Sequence, residues 1–239
     1  MQELVNNYMA EAKEIANDLS TPRMAKKIAK VVYLLYIAWV EGKTIFACGN
    51  GGSAATASHF CSDLSKLGIH THCLDDNISE ITAITNDSGF ENLYVEQLVP
   101  RFKKGDVLVC FSVHGGVERG KEIWSGNLMK AIEYVQFNEG KVIGIVGFEG
   151  GIINRIAGAS IKISSLSTPM VESWHCHILH LLRLILEKNQ PVKACDSCGL
   201  IRNYDAPRCK CGGFKYQVVV GIIGNIAEVG KIANSKVSS

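Results

Sequence analysis

The chain has 239 residues, of which 47% are hydrophobic, and a net charge of +2. This length and hydrophobic content are enough for one large domain or two modest ones with a hydrophobic core. The nearly neutral charge gives no electrostatic case for a nucleic-acid partner. The longest apolar run, Val31 to Val40, has about half of the ~20 residues that a membrane span needs. The N-terminal segment is amphipathic, unlike a signal peptide, so we expect a cytoplasmic protein with no membrane partner.

Two helices are predicted at the start, at residues 2–18 and 23–41, and strand-like and helical stretches alternate after them. The predicted strands are residues 43–48, 69–74, 106–112, 141–148 and 159–164, and the predicted helices lie between them, ending with a long one at 169–188. Strands separated by helices of this length form a mainly parallel sheet covered on both faces, which is a three-layer αβα fold of the α/β class. Such sheets bind ligands at the carboxyl ends of their strands.

The character of the sequence changes at residues 189–193, and a small module at 189–239 is predicted to follow a main domain at 1–188. The module carries two close cysteine pairs, Cys195 with Cys198 and Cys209 with Cys211. This pattern is typical of a structural zinc site, in the manner of a zinc ribbon, with disulfides or unliganded thiols as the alternatives. Since the module has no dense basic face, we expect it to pack between subunits or cover the active site. The other five cysteines are interpreted as small buried hydrophobic residues.

The sequence GNGGS at residues 49–53 joins a predicted strand to a predicted helix. Glycines there let the backbone approach an anion, and a helix start offers N–H groups and a favourable dipole. Asn50, Gly51, Gly52 and Ser53 are therefore candidates for binding a phosphate. The same residues also fit the dinucleotide-binding fingerprint, with Asp75 or Asp76 as the ribose-binding acid, and a purely structural turn is a third possibility.

Four separate stretches, residues 49–63, 83–92, 142–151 and 167–182, together resemble the sugar isomerase (SIS) domain family. The nearest likeness is to its phosphoheptose isomerases, and it extends over about residues 1–188. The resemblance implies a metal-assisted aldose–ketose isomerisation of a sugar phosphate, similar to that of sedoheptulose 7-phosphate, through an enediolate. It also implies a homo-oligomer, commonly a tetramer. A non-catalytic SIS module that senses phosphosugars or binds a partner protein is the alternative, and a dinucleotide-binding protein is a second one.

The resemblance also implies a catalytic metal site formed by His59, Asp63, Glu172 and His180. Spacings of four and eight residues place each pair on one helix face, and this donor set suits zinc or another divalent ion. Asp63 takes the place of the family's glutamate as base and ligand, and His180 that of the acid/base histidine. Glu172 replaces a glutamine, so the site has an additional carboxylate, and we expect Glu172 to be a ligand as well as a catalytic group.

Other substrate contacts are expected from the same resemblance, although the chain departs from the family in its second loop. Ser112 remains, but an insertion at about 115–125 displaces the following Ser-Gly-Asn element to residues 125–127. The alternative for the inserted loop is a solvated surface segment, and for the contacts near residues 85–87 and 168 it is helix capping. The candidate substrate-binding residues beyond the glycine turn are Asp87, Ser112, His114, Gly115, Gly116, Arg119, Ser125, Asn127 and Thr168, with Lys121 as a further phosphate-binding candidate.

Overall fold

The computed structural model describes residues 1–119, 122–195, 197–198, 201–203 and 216–219. For residues 117–119, 122–123, 192–194, 201–203 and 216–219, only the backbone is described. The helices are α1 (Gln2–Leu19), α2 (Pro22–Val40), α3 (Gly52–Ser65), α4 (Ile78–Ser88), α5 (Leu93–Leu98), α6 (Gly126–Phe137), α7 (Gly151–Ile156) and α8 (Thr168–Lys188). The strands are β1 (Ile45–Gly49), β2 (Thr71–Cys73), β3 (Val107–Ser112), β4 (Val117–Arg119), β5 (Glu122–Trp124), β6 (Lys141–Val146), β7 (Ala159–Lys162), β8 (Val192–Cys195), β9 (Ile201–Asn203) and β10 (Tyr216–Val219).

The five strands predicted from the sequence form one parallel sheet in the order β2-β1-β3-β6-β7. All residues of β1 and β3 are buried, as expected for apolar strands covered on both faces. One face packs against α2, α3 and α8, and the other packs against α5, α6 and α7. The predicted three-layer αβα fold is confirmed.

The two N-terminal helices are also confirmed, because α1 and α2 lie within about one residue of the predicted bounds. The Thr21 side chain caps α2 by accepting a hydrogen bond from the Met24 N–H at 3.3 Å, and Pro22 occupies the first turn. α1 is different, since Ile15 is its only buried residue and its first half exposes apolar side chains. None of the helices in the described parts of the chain is long and apolar enough to cross a membrane.

Two regions outside the parallel sheet contain short antiparallel strands. The inserted loop after β3, which the sequence left without regular structure, contains the antiparallel pair β4 and β5. In the C-terminal region, three short strands form an antiparallel sheet in the order β10-β8-β9. Cys195 ends β8 and Cys198 is exposed, whereas Cys209 and Cys211 lie outside the described residues, so the predicted zinc site stays a prediction.

Candidate active site

The candidate site lies at the carboxyl ends of β1 and β3, the neighbouring central strands from which the chain leads towards α3 and α6. Between β1 and α3 the turn is tight, with Gly51 at a φ of 60°. The first amides of α3 are used within the turn, because Ser53 N donates to Asn50 O at 3.1 Å and Ala54 N donates to Gly51 O at 3.0 Å. Ser53 is buried and packs directly on Gly49, because a Cβ atom added to Gly49 would lie 2.8 Å from the Cβ atom of Ser53. The turn therefore has a fixed shape.

A buried hydrogen-bond network supports this turn from below. The carboxylate of Asp75 accepts from Gly49 N at 3.0 Å and from the Tyr94 hydroxyl at 2.8 Å. The same hydroxyl lies within hydrogen-bonding distance of Gly49 O and of Asn50 Oδ1. Burial raises the pKa of Asp75 to about 6, against the opposing effect of its hydrogen bonds from Tyr94 and Gly49. Asp75 is thus engaged with the turn, and its contacts do not support the ribose-binding role that the sequence allowed.

Two amide side chains join the starts of α3 and α6. Asn50 Nδ2 donates to Asn127 Oδ1 at 3.1 Å, and Asn127 Nδ2 donates back to Asn50 Oδ1 at 2.8 Å. Asn127 is 1% exposed, so its side chain is a positioning element within the protein. The pair places two helix N-termini side by side, and both favour negative charge in the space that they face.

About two to three turns from the start of α3, His59 and Asp63 meet His180 of α8. His59 and His180 place their Nε2 atoms 3.5 and 3.9 Å from Asp63 Oδ2, and their ring centroids are 5.0 Å apart. The other oxygen of Asp63, Oδ1, accepts a hydrogen bond from Lys66 Nζ at 2.9 Å. This hydrogen bond lowers the pKa of Asp63, despite the opposing effect of burial. The structure thus brings three of the four predicted metal ligands together.

Cys176 joins this cluster, which the sequence analysis did not expect. The donor atoms of His59, Cys176 and His180 all lie within 4.8 Å of one another. Cys176 lies four residues before His180 and four after Glu172, so one face of α8 carries all three. This spacing is the sequence signal that indicates Cys176 as a ligand, whereas the sequence analysis interprets it as a small buried hydrophobic residue. Imidazole nitrogen, thiolate sulfur and carboxylate oxygen are the usual zinc donors, so the residues present fit a zinc ion.

Glu172 lies nearer the glycine turn. A Cβ atom on Gly52 would be 2.5 Å from Glu172 Oε1, so the carboxylate packs directly against the first residue of α3. Since Glu172 meets Gly52 and His180 meets Asp63, α3 and α8 run side by side in the same direction. Polar side chains therefore follow the contact between the two helices from the turn at one end to the cluster of imidazoles at the other, and we call this line of side chains the α3–α8 groove.

The inserted loop places an aromatic group beside the carboxyl end of β6. The ring of His114 lies 4.4 Å from that of Phe148 and 5.5 Å from that of Trp124, between ring centroids. Gly115 and Gly116 have a packing role, because their carbonyls accept from Ile153 N at 2.8 Å and Ile152 N at 2.9 Å, at the start of α7.

The remaining predicted residues are distributed around the strand ends. Ser112 is buried, and its hydroxyl accepts from Gly115 N at 3.0 Å. Ser125 precedes α6 with a φ of 63°. Asp87 is exposed in the last turn of α4, and Thr168 is the first residue of α8, whose N-cap is Ser167, so neither forms the capping turn considered as an alternative. The side chain of Arg119 and all of Lys121 lie outside the described residues.

The chain is similar to known proteins over most of its length. The sequence profile of the family described as "SIS domain" matches residues 7–147. Lincomycin biosynthesis protein LmbN of Streptomyces lincolnensis is 38% identical over 190 residues, which cover 75% of this chain and 67% of that protein. A phosphoheptose isomerase of Geotalea daltonii is 36% identical over 190 residues, covering 77% of this chain and 92% of the relative. The structure of phosphoheptose isomerase GmhA from Neisseria gonorrhoeae superposes with a TM-score of 0.70 at 25% identity, covering 78% of this chain and 98% of that one.

Proposed function

Because the chain belongs to the SIS domain family, we propose that it is a sugar phosphate isomerase, which interconverts an aldose phosphate and a ketose phosphate, with a phosphoheptose as the expected substrate. Relatives named phosphoheptose isomerase match most of its length. The observation that carries the proposal is the groove between α3 and α8, which has an anion-favouring turn at one end and a cation-binding cluster at the other. Gly52 and His59 are seven residues apart on α3, or about 10 Å along the helix axis, which suits an extended sugar phosphate.

We assign phosphate binding to the joined starts of α3 and α6. Two helix N-termini held together by Asn50 and Asn127 present positive dipole ends to the same space. Ser53, Ser112 and Ser125 supply hydroxyl groups at this edge of the sheet. The site needs few cationic side chains, because the fold itself provides the favourable field.

We assign cation binding to His59, Asp63 and His180. When bound, a divalent ion such as zinc would polarise the substrate's carbonyl and hydroxyl oxygens as a Lewis acid. Lys66 fixes one oxygen of Asp63 and leaves the other directed at the two imidazoles. This arrangement favours Asp63 as a ligand, although one methylene shorter than the family's glutamate.

Proton transfer is assigned to Glu172 and His180, eight residues apart on one face of α8. Isomerisation needs a base that removes a proton from carbon and an acid that handles the carbonyl oxygen. Both groups act on the two carbons at the carbonyl, so in this assignment the flexible Glu172 side chain, which rests against Gly52, turns towards the cation end when a phosphate occupies the turn. In this assignment Glu172 takes the base role that the resemblance alone gave to Asp63.

The direct test is turnover of sugar phosphates with five to seven carbons in D2O, with and without added zinc. Isomerisation through an enediolate exchanges the carbon-bound proton, so we expect deuterium in the product by NMR, with sedoheptulose 7-phosphate as the best substrate. Stabilisation by a sugar phosphate in a thermal-shift measurement without turnover or exchange would instead favour the sensing alternative. If no sugar phosphate is bound and none is turned over, the proposal is contradicted.

We propose further that residues 1–188 form the catalytic domain, that 189–239 form a zinc-stabilised module, and that the protein is a homotetramer in the cytoplasm. The exposed apolar side chains of Leu4, Val5, Tyr8 and Met9 on α1 support association of subunits through this helix. Native mass spectrometry at neutral pH gives both the subunit number and the zinc content per chain.

A further inference from the structure

We propose that Cys176 is a ligand of the active-site cation, and that His59, Asp63, Cys176 and His180 form a four-donor site selective for zinc. This inference rests on the cation site of the proposed function, but it concerns a residue that the resemblance does not assign. It also changes the role of Glu172, since a site with four other donors does not need this carboxylate as a ligand.

The geometry of the donors supports this set. Zinc–nitrogen and zinc–sulfur bonds of about 2.1 and 2.3 Å place the donors of a tetrahedral site about 3.5 Å apart. Asp63 Oδ2 is already 3.5 and 3.9 Å from the two imidazole nitrogens. The sulfur of Cys176 and the nitrogens of His59 and His180 lie within 4.8 Å of one another. Asp63 is not part of that group of three, so side-chain rotation about the two imidazoles has to bring its carboxylate and the Cys176 thiol to the same ion.

Glu172 is occupied elsewhere in the same groove. Its carboxylate packs against Gly52, so close that a Cβ there would lie 2.5 to 2.8 Å from its carboxyl atoms. Glu172 and Cys176 are one helical turn apart, and the thiol is the one whose donor atom groups with the imidazoles. The replacement of the family's glutamine by glutamate thus leaves a carboxylate that is free for proton transfer.

The charges of the cluster also fit a dication. Binding of the ion displaces the thiol proton of Cys176 to solvent, and the resulting thiolate together with Asp63 supplies two negative charges. A soft thiolate favours zinc and cobalt over magnesium and manganese, which prefer oxygen ligands. The alternative for Cys176 is packing alone, because its side chain also contacts the core cluster beside α2 and α3.

Cobalt substitution separates the two roles, since thiolate-bound Co²⁺ has a near-ultraviolet charge-transfer band that imidazole and carboxylate ligands do not produce. The full-length chain, stripped with chelator, is titrated with Co²⁺ as wild type, Cys176→Ser, His59→Ala and Cys198→Ser. The last variant is the matched control, because the C-terminal cysteines are expected to bind cobalt as well. We expect Cys176→Ser and His59→Ala to lose the same component of the band and Cys198→Ser to keep it, and we expect zinc affinity of the active site to fall at least about tenfold in Cys176→Ser.

Alkylation of the wild type provides a measurement that does not depend on a variant's folding. Iodoacetamide modification of Cys176, followed by peptide mass spectrometry, is expected to be suppressed by zinc and not by magnesium. An unchanged cobalt band in Cys176→Ser, or equal alkylation with and without zinc, would overturn the inference. The outcome is independent of catalysis: a chain that binds cobalt through Cys176 but turns over no sugar phosphate refutes the proposed function and leaves this site in place.

Discussion

The two ends of the α3–α8 groove are built in opposite ways. At the turn, the polar groups of Asn50, Asp75, Tyr94 and Asn127 all have partners within the protein. At the cation cluster, His59 and His180 are exposed, and they share the single carboxylate of Asp63 at 3.5 and 3.9 Å. The turn is organised before any ligand arrives, whereas the cluster gathers donors that an ion would complete.

This difference indicates a division of roles. A preorganised anion site costs little reorganisation when substrate binds, so it sets affinity and orientation. In the proposed function, the cluster holds the cation and one of the two proton-transfer groups, His180. Substitutions at the cluster are therefore expected to reduce kcat, and substitutions in the network under the turn are expected to reduce stability or raise KM.

The largest effect is expected from His180→Ala, which removes a proposed acid and cation ligand at once. We expect kcat to fall by about 10²- to 10⁴-fold, the usual contribution of general acid–base catalysis, with the melting temperature nearly unchanged because the ring is exposed. Steady-state kinetics and thermal unfolding measure the two quantities.

His177→Ala is the matched control for that change. His177 lies on the same helix, is exposed, and contacts Ser173 O and the ring of Trp174. It should retain activity close to that of wild type. Equal losses in the two variants would show that α8 contributes structure rather than chemistry, and would remove the contrast between the two ends.

The next largest effect is expected from Gly52→Ala, a substitution in the turn that displaces the side chain of Glu172. The added methyl would meet the carboxylate at 2.5 to 2.8 Å, and the flexible glutamate side chain would move to make room. A displacement of about 1 Å is expected to lower kcat by roughly a hundredfold. Gly158→Ala is the control, since its Cβ meets only Val142 O at 3.4 Å. Unchanged kcat in Gly52→Ala would contradict the role of Glu172 as base.

Tyr94→Phe tests the network under the turn. The variant removes a buried hydroxyl that donates to the turn, and it leaves acceptors on Gly49 and Asp75 without that donor. We expect the free energy of unfolding to fall by about 1–3 kcal/mol and KM to rise more than kcat falls. Tyr134→Phe is the control, because the Tyr134 ring is only partly buried and packs on Phe102. A stable variant with reduced kcat would mean that the network serves the chemical step instead.

The sequence predicts the fold better than the site for a physical reason. Apolar strands such as residues 107–111 and the helices between them specify a parallel sheet locally, and the strand ends then locate the ligand site. Which side chains meet across the groove depends on how α3 and α8 align, and no local pattern gives that alignment. This is why Cys176 was interpreted as packing, and why Glu172 was expected in the metal cluster although it lies against Gly52. The β4–β5 hairpin was missed because GGVERGKEIW shows no clear strand alternation.

The smallest effect is expected from Asp75→Asn and depends on pH. Burial raises the pKa of Asp75 to about 6, above the value near 4 of an unfolded aspartate. Between these two values the folded state holds more protons than the unfolded state, so this carboxyl makes the protein less stable as pH rises from about 4 to 6. Asparagine has no such dependence.

We therefore expect the variant's melting temperature, relative to wild type, to be most favourable at pH 7–8 and to decline as pH falls through 6 towards 4, by the equivalent of about 1 kcal/mol once partial solvent exposure is allowed for. If the difference between Asp75→Asn and wild type is constant from pH 5 to 8, the carboxylate is not buried beneath the turn, and the network that distinguishes the turn from the cluster is weaker than the structure indicates.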